Sequence, residues 1–443
     1  MTATSSVIIM LLLLCFVIYS LMYPNIYQGI RVDGVDLSGC SSAQASQLLT
    51  AWQQERHNKK IILDFDQQQF KLAATNIDFD VDSSEALDAA WHYGRDGSWW
   101  ERMKKIRAAQ KKPYDISLGI KYDEVKLNHL IEQWQRAIER PARNATISMT
   151  TGKVIPDQQG YKLEVDTLRS LILQSLMKSE DVTVVLPVTT VYPEVTVDDL
   201  ASMGIHEAIS AYTTVFNSQD DNRVANIKLA ATKVNGYIIY PGKTFSFNDV
   251  VGPREKSYGF KEAMEIADGE FVPGIGGGIC QLSSTLYNAV ILANLDITER
   301  YNHSKTLPYV PAGRDATVAF GLLDFKFVNN TPEPLMIAAE VKGNELMVGV
   351  FGQHSIAEKV EIISMNQEQI LPTIIKQQDD SLYLGETKLE KQGTPGIALT
   401  VMRVVRLKGQ MIKQEVLSQD RYLGEDTILK IGTKIPPFAE TIQ

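Results

Sequence analysis

The chain has 443 residues, 44% of them hydrophobic and 22% charged, and a formal net charge of −9. These values lie near globular averages and exclude wholesale disorder; the lack of a basic excess excludes nucleic acid as an expected partner, because phosphate binding needs many cations. At roughly 100 to 200 residues per domain, a chain of this length should build two to four cores.

Residues 7–23, VIIMLLLLCFVIYSLMY, are apolar throughout except for Ser20. As a helix rising 1.5 Å per residue, such a run reaches roughly 25 Å, enough to span a bilayer. No small-residue cleavage site follows, since the next residues are Pro24, Asn25, Ile26 and Tyr27, so the run reads as an uncleaved anchor. Cys15 lies inside it behind leucines, without the small residue that a lipid-attachment signal carries. A short N-terminal tail before a single span usually stays cytoplasmic, which puts residues 28–443 on the outer side. Three cysteines are too few for a disulfide framework, and Cys40 and Cys280 are expected to stay unpaired.

Residues 28–200 hold an internal repeat, near 28–115 and 116–200. Helical spacing at 42–52 (SAQASQLLTAW) recurs at 123–134 (DEVKLNHLIEQW), and strand-like pairs at 61–65 and 77–81 recur at 145–149 and 161–165. Each copy then enters a helix at an aspartate suited to an N-cap, Asp82 or Asp166. Two α+β modules in tandem are predicted. Cys40, just ahead of the capping candidates Ser41 and Ser42, reads as a packed apolar residue. A strand and linker follow at 182–193. The spacing then predicts a helix at 226–234 and strands at 238–240, 296–301, 316–320 and 324–328. A hairpin of 335–341 with 345–351, turned by Gly343-Asn344, closes the domain at 210–352. From 360 to 436 the chain reads as a small β-rich module. The fold class is α+β and multidomain.

The stretch FVPGIGGGICQLSSTLYNA, residues 271–289, carries the chemistry. Gly274, Gly276, Gly277 and Gly278 permit positive φ, let a backbone or ligand approach closely and can form an anion-binding concavity. From Gln281 the spacing turns helical, with Leu282, Leu286, Ala289 and Ala293 in one apolar stripe and Cys280 roughly 200° away from Leu282. A thiol in the first turn of a helix feels the positive end of its dipole, which favours the thiolate nucleophile. Gly276, Gly277 and Gly278 are expected to supply oxyanion donors, and Gln281, Ser283, Ser284 and Thr285 a polar face on the same site.

A nucleophilic cysteine needs a base. Of the six histidines (His57, His92, His129, His206, His303 and His354), His303 shares the domain of Cys280 and begins a Pro- and Gly-shaped loop. Asp315 or Asp324 suits the role of orienting it. No cofactor and no metal are expected: His-Glu-x-x-His and Cys-x-x-Cys are absent, and Ile279 stands where a dinucleotide loop would place its last glycine. A lone Ser-x-x-Lys, Ser175 to Lys178, lacks a Lys-Thr-Gly partner.

The segments NRVANIKLAATKVNGYIIYPGKTFSFNDVVG, GIGGGICQLSSTLYNA, ERYNHSKTLPYVPAGRDATV and LDFKFVNNTPEPL, in this order, resemble the VanW family. The family's usual Ser-Thr-Thr after Cys-Gln is Ser283-Ser284-Thr285 here, which keeps a hydroxyl at each place. The opening IRVDGVDLSG, residues 30–39, resembles the peptidoglycan-binding modules that often precede VanW domains behind one transmembrane helix, and the tail resembles the small β module named for its five glycines. The resemblance implies a cell-wall role, with peptidoglycan stem peptides and glycan as partners. Some members are understood to be L,D-transpeptidases with a cysteine nucleophile, which would make Cys280 the nucleophile and His303 its base. The rival reading is a membrane-tethered protein that binds peptidoglycan without acting on it; a stem-trimming hydrolase is a third.

Overall fold

The computed structural model of the chain describes residue 18 and residues 22–178, 180, 182–267, 270–353 and 358–435. Two compact units emerge, Met1–Ala142 with Gln159–Tyr192, and Arg143–Gln158 with Pro193–Gln443. The apolar run at 7–23 lies outside the described residues except for Ile18, Met22 and Tyr23; among the described residues no helix is long and apolar enough to cross a membrane.

In the first unit helices form in both expected copies, and the two copies share strands. The helices Ser42–His57 and Glu124–Ile138 start where the pattern places them, the first at a capping box of Ser41 and Gln44, the second at Asp123. Asp82 caps Ser83–His92 through the Ser84 N–H. The helix of the second copy corrects the reading: Val165–Met177 is capped at Glu164 without a side-chain bond, and Asp166 lies in its first turn, where a carboxylate still suits the dipole. The stretch 77–81 ends a 3-10 turn, Ala74–Ile77, and leads into the short strand Asp80–Asp82. The strand Thr183–Val185 of the second copy pairs in parallel with Lys60–Phe65 of the first. One apolar cluster runs from Ile26 to Leu186. Each copy alone is short for a core of its own, and sharing strands closes a larger one. Cys40 packs half-buried against that core as a free thiol.

The predicted strand at 145–149 shrinks to Thr146–Ile147, paired with Val154–Ile155, and packs in the second unit, where Ala145 and Ile147 meet Met336, Ala338 and Phe351. That unit is built on an antiparallel sheet ordered Glu207–Val215, Glu345–Gly352, Leu335–Lys342, Tyr237–Ile239. The helices Asp221–Val234 and Ile279–Leu292 bury Ile227, Leu282, Leu286 and Val290 in its core. A smaller sheet of Thr244–Ser246, Lys326–Val328 and Asp296–Glu299 stacks Phe245 on Phe327. Residues 316–320 form no strand beyond a bridge of Ala319 with Leu323. The backbone of Ala316 is bonded instead to the hydroxyls of Ser283 and Ser284.

The C-terminal module consists of two three-stranded sheets, one of Glu358–Ile370, Gly396–Leu407 and Gln410–Tyr422, the other of Ile374–Tyr383, Thr427–Lys434 and Thr387–Lys391. From the first of these, buried Arg403 donates to the carbonyls of Ile291 and Leu295 and so caps the end of the helix Ile279–Leu292. Unpaired carbonyls and the negative end of the dipole favour a cation there.

Candidate active site

The glycine turn is a packed junction. Asn226 fastens it, donating to the carbonyls of Gly277 and Lys261 and accepting from the Lys261 N–H. A Cβ on Gly276, where φ is +96, would meet Ile279 at 2.9 Å and the stem of Arg254 at 3.1 Å; on Gly277 it would meet the Met264 carbonyl at 2.6 Å; on Gly278, where φ is +107, Arg223 and Ile227 at 3.0 Å. The direction in which a side chain would project from these glycines is therefore taken by the protein. What the glycines allow is the close approach of a hairpin and two arginine stems to the helix start.

The helix Ile279–Leu292 is buried on nearly every side, and of the expected polar face only Gln281 reaches the cleft. Ser283 donates to the Ala316 carbonyl, Ser284 to the Cys280 carbonyl, and Thr285 to the Gln281 carbonyl. The Gln281 amide donates to Thr214 and the Val215 carbonyl and accepts from Arg223. These four polar residues anchor the helix. Cys280, half-buried in the first turn, opens onto a cleft of about 1060 Å³ whose walls include Arg223, Arg254, His303, Tyr309 and Phe320. Ser283, Ser284, Thr285 and Asp315 do not line it; Gly276, Gly277, Gly278 and Gln281 do. The Ile279 and Gln281 N–H groups turn back to Gly276 and Gly278, whereas the Cys280 N–H takes no backbone acceptor among the described residues.

His303 lines the same cleft as Cys280 and each acts on the other's charge, while the Cys280 Sγ donates to the Val318 carbonyl at 3.6 Å. The Asp315 carboxylate Oδ2 accepts from both the Nδ1 and the backbone N–H of His303 at 2.6 Å, which leaves Nε2 for the thiol. Its Oδ1 accepts from Arg300 at 3.0 Å and from the Tyr422 hydroxyl. Burial would push this carboxyl up, but His303, Arg300 and Tyr422 hold it below the usual carboxylate range. Burial likewise opposes charge on the imidazole, yet Asp315 and Cys280 outweigh it and raise His303 to about 9. The thiol is pushed up by burial and pulled down further by His303, with help from the Arg254 charge, and ends below its ordinary value. The arrangement favours a thiolate beside an imidazolium. Asp324, the other candidate, is engaged elsewhere by the Ser246 hydroxyl and the Asn248 N–H.

Sequence reasoning missed two contributors. Tyr309 stands on the same loop as His303, half-buried, close enough to Cys280 that the thiolate charge, after burial, holds its phenol protonated. The other is the C-terminal module: Tyr422 reaches Asp315, while Asp420 takes the second arm of Arg300. Gly313 permits this docking, since a Cβ there would lie 2.3 Å from Val401, and its N–H donates to the Tyr422 hydroxyl. Arg300, Asp315, Asp420 and Tyr422 are all buried, and burial of so many charges is tolerable only because each finds its partner. Among the described residues no group of three or more His, Cys, Asp or Glu side chains is placed to hold a metal ion.

Comparison with known proteins places these features in a family. The model for "VanW like protein" matches residues 222–351, that for "Putative peptidoglycan binding domain" residues 70–184, and that for "G5 domain" residues 362–434. The protein YoaR of Bacillus subtilis (strain 168) is 36% identical over 241 residues, 54% of this chain and 79% of YoaR. The vancomycin B-type resistance protein VanW of Enterococcus faecalis (strain ATCC 700802 / V583) is 34% identical over 136 residues, 30% of this chain and 50% of that protein. The crystal structure of HP0197-G5 matches 17% of this chain and 97% of its own at 24% identity, with a TM-score of 0.13. Because YoaR is matched across 79% of its length at 36% identity, the chain belongs to the VanW family.

Proposed function

We propose that this protein is a cysteine-dependent peptide acyltransferase of the cell wall, an L,D-transpeptidase acting on peptidoglycan stem peptides. The single observation that carries this reading is that Cys280 and His303 line one cleft of about 1060 Å³, with the Asp315 carboxylate bonded to His303 Nδ1. The thiolate attacks a peptide carbonyl carbon, a C–S bond forms, and the amide C–N bond breaks as His303 passes its proton to the leaving amine. The acyl-enzyme then meets the amine of a second stem. His303 takes that amine's proton, the new amide forms and the thiolate returns. The Cys280 N–H, which takes no backbone acceptor among the described residues, and the Tyr309 hydroxyl on the cleft wall would steady the tetrahedral oxyanion. Residues 7–23 anchor the chain in the membrane, residues 28–443 face the wall, and the first unit binds peptidoglycan, a role supported by its family match at 70–184.

The test is mass spectrometry of disaccharide tetrapeptide after incubation with the wild type or with Cys280→Ala. Crosslinked dimer, or an acyl adduct on Cys280, is expected for the wild type alone. Trimmed monomer alone would make the protein a hydrolase. No change and no adduct with either protein would leave a wall-binding protein and remove the transpeptidase.

A further inference from the structure

The helix Trp99–Lys111 went unrecognised in the sequence and takes no part in the cleft, yet its composition is one-sided. Met103, Ile106 and Ala109 face the core, while Trp99 and Trp100 stand 57% and 68% exposed with their rings 4.9 Å apart. Trp100, Lys104, Arg107 and Lys111 fall at helical spacing on one exposed stripe, with Lys105 and Lys112 beside it. The helix's one acid, Glu101, is committed to its N-terminal capping box with Ser98. The lysine ion pairs nearby in sequence use other residues, Lys121 with Asp82 and Lys126 with Asp78; among the described residues none of the five cations above forms one. Exposed tryptophans are costly in water, and a row of unneutralised cations repels itself, so both features call for a partner.

The helix's position narrows that partner. Arg95, just before the helix, donates to the carbonyls of Tyr23 and Asn25, where the apolar run of the sequence ends. The backbone at Gly29 passes so close to the helix that a Cβ there would lie 2.0 Å from the Ala109 carbonyl. The helix is thus fastened to the chain within a few residues of residues 7–23. Aromatic rings with a polar edge, flanked by lysine and arginine, suit the boundary between headgroups and acyl chains.

We infer that the helix Trp99–Lys111 is a membrane-surface contact, its two tryptophans entering the headgroup region and its cations pairing with anionic lipid phosphates. The inference rests on the anchoring part of the reading above and is independent of the catalytic part. Together the anchor and the helix make a two-point attachment that fixes the tilt of the first unit against the bilayer.

The experiment uses the full chain reconstituted in vesicles of phosphatidylcholine with or without phosphatidylglycerol, a fraction of the lipid being brominated so that it quenches nearby tryptophan emission. Quenching is expected with phosphatidylglycerol, with a marked loss in neutral vesicles, in high salt, in Lys104→Gln/Lys105→Gln/Arg107→Gln and in Trp99→Ser/Trp100→Ser. Quenching that is absent in the wild type, or undiminished in both variants, would overturn the inference. So would protection of the tryptophans by glycan fragments in place of lipid. Flotation with vesicles in high salt reports the anchor separately: a chain that washes off refutes anchoring, while salt-sensitive quenching by the same chain still supports the helix contact.

Discussion

Two charged regions of this molecule obey opposite rules. Behind His303, Arg300, Asp315, Asp420 and Tyr422 are buried and each polar arm is answered, so that Asp315 alone accepts four hydrogen bonds. On the helix Trp99–Lys111, Lys104, Lys105, Arg107 and Lys111 are exposed and form no ion pair among the described residues. A satisfied network holds geometry, because moving any member strands another in a medium of low dielectric. An unsatisfied exposed row costs little by itself and gains its meaning from what it meets. Substitutions in the first region should therefore act on the isolated protein, and those in the second only at a membrane surface.

The largest effect should come from breaking the network at its centre. Asp315→Asn keeps the shape but frees His303 to take the wrong tautomer, and kcat/KM for muropeptide crosslinking should fall roughly 10²- to 10⁴-fold with little change in circular dichroism. Tyr422→Phe removes one donor to a buried carboxylate, and the loss should be roughly 10- to 100-fold, since hydrogen bonds to charged groups are worth about 1.5–3 kcal/mol. Activity unchanged in Tyr422→Phe would reduce the C-terminal module to a passive neighbour. Gly313→Ala drives a methyl into Val401 at a positive φ, so thermal unfolding should show a destabilisation of about 1–3 kcal/mol. Smallest of all, Lys104→Gln/Lys105→Gln should leave stability within about 0.5 kcal/mol and soluble-substrate turnover untouched; a larger cost would mean that these cations have partners inside the fold after all.

A pH series sharpens the same contrast. His303 has a folded-state value near 9, above its ordinary 6.5, so its contribution to stability is fully present below pH 6.5 and is lost as pH rises through about 9. Cys280, held below 9.0 in the fold, gains stability over the same range and offsets this loss, so denaturant midpoints of the wild type should change little between pH 7 and pH 9, whereas those of Cys280→Ala, which keeps the His303–Asp315 pair without the opposing thiol, should fall. The lysines of the exposed helix should add nothing to that difference.

Much of this was legible beforehand, and the gaps have physical causes. The Cys280 and His303 positions stood out because a Gly-rich turn, a helix start and a shaped loop leave local signatures. Asp315 was readable only as one of two candidates, since Asp315 and Asp324 differ in what they touch across the fold. The serines and threonine after Cys280 were misread because a polar helix face looks solvated in sequence, whereas here their hydroxyls bond to backbone carbonyls in the interior. Tyr422 and Asp420 lie more than a hundred residues from Asp315, and no local pattern announces such a contact. The helix Trp99–Lys111 did carry a signal, the capping box Ser98-x-x-Glu101, but its charged face hid the apolar spacing of Met103, Ile106 and Ala109.

The most direct test of the central claim, that His303 and Asp315 keep Cys280 as a reactive thiolate, is the rate of Cys280 alkylation by iodoacetamide in the folded protein as a function of pH. The account predicts fast alkylation near neutral pH, with a midpoint below the ordinary thiol value of 9.0, and a shift to higher pH in His303→Gln. A thiol that reacts only upon unfolding, or a midpoint that His303→Gln leaves unmoved, would contradict it.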